Sequence, residues 1–127
     1  MKEVVVMKYR VTGIYADCLG GSRFEGEIET DEEGNFQGTV TDRYGSGAIK
    51  GILMDDHLHF KKGYKEVPLV GRLCLDATSF DEGGYLYEYS PTPTDSPAAK
   101  DGWQWLGKWT LVSTGEIMDT ACSLTRI

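Results

Sequence analysis

The chain has 127 residues, 40% hydrophobic and 26% charged, which suits one globular domain and excludes a disordered chain or two independent cores. Thirteen basic against twenty acidic side chains leave a formal charge of −7. That field repels phosphate backbones and anionic headgroups, so neither nucleic acid nor a membrane surface is expected as a partner.

Residues 3–15 read as an opening strand. Their apolar run, Val4 to Met7, is too short for the core of a signal peptide and stops at Lys8, so a cytoplasmic location is expected. Cys18, Cys74 and Cys122 are an odd count with no paired spacing. The expectation is reduced thiols, with no disulfide framework, metal or cofactor.

Strict alternation then sets in. Phe24, Gly26, Ile28 and Thr30 alternate with Arg23, Glu25, Glu27 and Glu29, giving a strand with one apolar and one charged face. Asp31 to Asn35 reads as a hairpin loop in which Gly34 or Asn35 takes positive φ. The return strand carries Phe36, Gly38, Val40 and Asp42 on one face and Gln37, Thr39 and Thr41 on the other.

Tyr44 to Gly47 makes the next turn, Ala48 to Met54 the next strand, and Asp55-Asp56 a tight turn. The chain returns with Leu58, Phe60, Lys62 and Tyr64 in one phase and His57, His59, Lys61 and Gly63 in the other. A sixth strand is read through Leu69, Gly71, Leu73 and Leu75, with Pro68 near its start. After a turn at Asp81 to Gly84 comes Tyr85 to Tyr89. Residues 90–102 hold three prolines and form the one long loop, a lid over a barrel mouth or a disordered stretch. An eighth strand places Trp103, Trp105, Gly107, Trp109 and Leu111 on a single face, while residues 114–127 fit a short helix, a closing strand or a tail.

Eight strands joined by short turns predict an all-β fold, an eight-stranded antiparallel up-and-down β-barrel, with a β-sandwich as the alternative. Glycines inside most strands fit the barrel, where they relieve strain at tight coils. The meander resembles the calycin-like barrels, the group that holds lipocalins, fatty-acid-binding proteins and avidins. The resemblance is carried by Gly34 to Asp42 with Gly45 to Gly51, by Leu58 to Tyr64, and by Trp105 to Leu111. It implies a central cavity and a small ligand within it; biotin binding is not implied, because the tryptophans crowd into one strand.

Asp42, Lys62 and Tyr64 share strand phase with apolar residues. Either they point inward, where acid and amine need each other, water or a ligand, or they sit at strand ends in solvent. Trp103, Trp105 and Trp109, with Tyr87 in the stripe Tyr85, Tyr87 and Tyr89, offer flat contact area for a ring-shaped ligand or fill the core. His57 and His59 are out of phase with Leu58 and Phe60 and should face water, so no metal site is read there. Binding of a small, partly apolar ligand in the barrel interior is the expected function, in a monomer or homodimer. The alternatives are an acid–base enzyme using the same lumen and a filled barrel serving as a structural or protein-interaction module.

Overall fold

Alternation carries through from sequence to register. A computed structural model describes residues 6–16, 20–64, 84–112 and 114–127. Within them the strands are β1 (Met7–Tyr15), β2 (Ser22–Thr30), β3 (Asn35–Asp42), β4 (Gly45–Leu53), β5 (Leu58–Tyr64), β6 (Tyr85–Pro91), β7 (Trp105–Leu111) and β8 (Ile117–Arg126). Each pairs antiparallel with its sequence neighbours, and β8 returns to β1, so the sheet closes as an eight-stranded barrel. Closure leaves no edge strand open among the described residues.

The apolar phase points inward. Phe36 pairs with Gly51, Gly51 with Phe60, Phe60 with Tyr87, and Tyr87 with Trp109, forming one belt around the barrel. Phe60 stacks on Tyr87 at 4.8 Å between centroids, and Phe36 meets Phe60 edge-on at 6.1 Å. Gly51 makes room for that contact. A Cβ built there would lie 1.9 Å from the His59 carbonyl oxygen and 2.6 Å from the Phe60 Cα.

The first hairpin forms as its sequence predicts. The Asp31 Oδ1 accepts the N–H groups of Glu33 and Asn35, each at 2.9 Å, and Gly34 takes φ of 91°. That is an aspartate-nucleated turn with glycine at the left-handed position. The next turn is tighter than expected: β4 already begins at Gly45, leaving only Arg43 and Tyr44 between strands.

The sixth strand expected at residues 69–75 lies outside the described residues; among those described, β5 pairs directly with β6. Of the three forms open to residues 114–127, the closing strand is the one found: residues 117–126 form β8 and complete the barrel through β1. The sequence leaves these forms open because Thr120 and Cys122, small or polar, interrupt the apolar Met118 and Leu124 in the inward phase. The long loop contains a one-turn helix, α1 (Pro97–Lys100), whose N-cap Ser96 accepts the Ala99 N–H. It does not cap a mouth but runs beside β8: Ser123 Oγ donates to the Gly102 carbonyl and accepts from the Gln104 N–H, and Gln104 Oε1 accepts the Leu124 N–H.

Candidate functional site

Strand phase decides where each predicted site residue goes. Asp42 ends β3, Lys62 and Tyr64 lie on β5, and all three face the lumen, with the Asp42 side chain fully enclosed and Lys62 only 2% exposed. Lys62 Nζ sits 2.6 Å from Asp42 Oδ2. The same oxygen accepts the hydroxyl of Tyr64 at 2.7 Å and of Tyr15 at 2.9 Å. The other oxygen, Oδ1, accepts the Tyr44 backbone N–H at 2.8 Å, which also fixes the two-residue turn. The carboxylate is thus surrounded by donors, the condition under which a buried charge is tolerated.

The ammonium is caged as well. Its Nζ stands 4.8 Å from the ring centre of Tyr15, 4.9 Å from Tyr64, and 5.7 Å from each of Phe24 and Tyr87. Rings at these distances present their negative faces to a cation, so they offset part of the lost hydration. Burial still pushes Lys62 below the usual lysine value, with the Asp42 charge and hydrogen bond acting in the opposite direction. Burial, reinforced by Asp42, holds the Tyr15 and Tyr64 hydroxyls well above the ordinary phenol value.

Of the aromatic candidates, Tyr87 and Trp109 are buried in this core, and Trp105 packs against it. The Trp109 indole donates to the Ala16 carbonyl at 3.0 Å. Trp103 is the exception. It precedes β7, where the chain is tied to Ser123 and no longer alternates, and it lines an outer groove instead of sharing a face with Trp105 and Trp109. His57 and His59 stack on each other at 5.4 Å, in the phase opposite to the buried Leu58 and Phe60. Cys122 is a buried free thiol pushed up to about 12 by burial.

Sequence reasoning passed over two sets of residues. Tyr15 shares phase with the buried Val11, so extending the alternation test into the first strand would have found it. Arg23 and Arg43 face outward and enter the groove. No sequence pattern marked them, because a lone arginine on a solvent face looks like any other solubilising charge.

The groove has a volume of about 770 Å³. Its floor is a row of consecutive cross-strand partners, Leu106, Ala121, Ile14 and Arg23, crossing β7, β8, β1 and β2. Ala98, Asp101 and Trp103 of the long loop form one wall. Ile14 is 36% exposed, a large apolar side chain facing water in the middle of the floor. Asp42, Lys62, Tyr64, Tyr87 and Trp109 do not line it. No protein-family model matches the chain, and neither a curated protein nor a solved structure matches it.

Proposed function

We propose that this protein is a non-catalytic binding barrel of calycin type that holds a small, partly apolar molecule in the groove on its outer wall. The observation that carries the reading is the division of space. The interior is occupied by interlocking rings and a self-satisfied ion pair, whereas the outer groove combines ligand-sized volume, a floor that is apolar up to Arg23, an aromatic wall and several polar groups. Small-molecule sites have this character: roughly 300–1,000 Å³, mostly apolar, with few polar anchors. The interior network then serves as a clamp, tying β1, β3 and β5 together at one end of the barrel.

One observation favours a second reading, in which the ligand enters the lumen. The ring cage around Lys62 is the arrangement that receives ammonium ligands elsewhere, and a ligand bearing such a group would compete with Lys62 for it. An acid–base role for Lys62 would further require substrate to reach a group that is 2% exposed.

Tryptophan fluorescence separates the readings. Titrating the full chain with a chemically diverse set of aromatic and alkyl compounds should give a shift that is lost in Trp103→Phe and kept in Trp109→Phe. The reverse pattern would move the ligand into the lumen. The absence of any response, together with no co-purifying small molecule in native mass spectrometry, would overturn the binding function itself.

A further inference from the structure

Charge in the groove is distributed unevenly. Arg43 donates one N–H to the Gly21 carbonyl at 2.8 Å, a bond that holds the guanidinium at the groove while its remaining donors have no partner among the described residues. Arg23 stands at the β2 end of the floor, three strands from Leu106, a span of roughly 14 Å at the usual strand spacing. Among the described residues, Asp101 and Asp119 also line the groove. Asp119 is paired with Lys108 in an exposed ion pair, and Asp101 lies two residues from Trp103, on the loop wall. The β2 end is therefore cationic, and the loop end is aromatic with one carboxylate.

We infer that the groove takes an amphipathic anion: a flat apolar body laid over Ile14 and Leu106 against Trp103, with a carboxylate or sulfonate held by Arg43 and Arg23. This assignment rests on the reading of the groove as the ligand site. Guanidinium forks match planar anionic oxygens in geometry as well as charge. The net charge of −7 disfavours anions at long range, but ions screen that field beyond roughly 8–10 Å. Inside that distance the local groups count, and at the β2 end these are the two arginines. Asp101 repels an anion at the loop end and so fixes the direction in which the ligand lies.

A pair of dyes of matched shape tests the class. The sulfonate 8-anilinonaphthalene-1-sulfonate and its neutral counterpart N-phenyl-1-naphthylamine are titrated into the full chain, Arg43→Gln, Arg23→Gln and Leu106→Asp. The expected result is tighter binding of the sulfonate, its affinity falling about tenfold in each arginine variant and falling with salt, while the neutral dye is unaffected by either. Leu106→Asp should weaken both dyes. Equal affinity for the two dyes, or arginine variants that bind the sulfonate as the parent does, would overturn the anion class. The groove would survive that result so long as Leu106→Asp weakened the neutral dye. If Leu106→Asp, confirmed as folded by circular dichroism, changed neither dye, the groove itself would fall and the anion assignment with it.

Discussion

Asp42 and Arg43 are adjacent in sequence and lie on opposite sides of the barrel wall. The Asp42 carboxylate is enclosed and receives donors from Lys62, Tyr15, Tyr64 and the Tyr44 backbone. The Arg43 guanidinium lies in the outer groove and, among the described residues, makes one bond, to a backbone carbonyl. The difference lies in what each charge would lose on isolation. An interior charge deprived of partners faces a desolvation cost of several kcal/mol, whereas an outer one is rehydrated. Charges in the first setting hold a fold together; those in the second are free to recognise something.

The largest expected effect follows from breaking the interior set. Asp42→Ala leaves a buried ammonium and two phenolic hydroxyls without their common acceptor, and should destabilise by about 3–5 kcal/mol. Against a usual total of about 5–15 kcal/mol, that brings the barrel close to unfolding. Replacing both partners, as Asp42→Asn with Lys62→Met, should recover much of the loss, since no lone charge remains. Urea unfolding measures both; a cost below about 1 kcal/mol for the single variant would show that the interior charge is not structural.

Next in size is a steric test of how full the interior is. Gly51→Ala places a methyl against the His59 carbonyl and the Phe60 backbone, and neither is a flexible side chain able to swing away. Overpacking of this kind should cost about 1–3 kcal/mol, read from the same urea curves. A neutral result would mean that the wall at Phe36 and Phe60 yields, and that the lumen has slack to admit a ligand after all.

How much of this was legible follows from the same inside–outside contrast. The barrel, its meander order and the inward phase of Asp42, Lys62, Tyr64, Tyr87 and Trp109 are encoded by period-two alternation, which one strand displays by itself. The convergence of Lys62, Tyr64 and Tyr15 on a single Asp42 oxygen is not local: Tyr15, Asp42 and Tyr64 lie on three strands, and only register brings them together. The closing strand is hard to read because Thr120 and Cys122 interrupt its inward apolar residues Met118 and Leu124, and Trp103 leaves the expected face because alternation stops where β7 begins. The outer groove had no signature, since it is made by a proline-rich loop folding onto a wall whose residues individually look like ordinary surface.

Raising the pH probes the interior without any mutation. The Cys122 thiol is held at about 12, against an ordinary 9.0, by burial. Tyr15, Tyr64 and Tyr89 are held above the ordinary 10.0, again by burial first. Groups raised in the folded state contribute stability in full below their unfolded values and lose it as pH climbs toward the folded ones. Lys62, pushed down, acts with the opposite sign up to the ordinary 10.5, so between about pH 9 and 10 it offsets the Cys122 thiol, and the three phenols tip the balance above that. Thermal stability should therefore decline above about pH 10, by about 1.4 kcal/mol per pH unit for each net group. Spectrophotometric titration should show at least three of the seven tyrosines ionising only on unfolding. Ionisation of all seven in the folded protein near pH 10 would mean that solvent reaches the lumen.

The smallest expected effect on stability completes the comparison on the groove side. Arg43→Gln removes a charge one residue from Asp42, yet the lost interactions are exposed, and water replaces the bond to the Gly21 carbonyl. The change should lie within about 0.5 kcal/mol, an order of magnitude below that expected for Asp42→Ala, while weakening binding of the sulfonate dye. Equilibrium unfolding of the two variants side by side gives the ratio directly. A loss above about 1.5 kcal/mol for Arg43→Gln would make the guanidinium a strut for the turn that carries Gly21. Its place in the groove would then follow from folding alone, and the contrast between a structural interior and a recognising exterior would no longer hold.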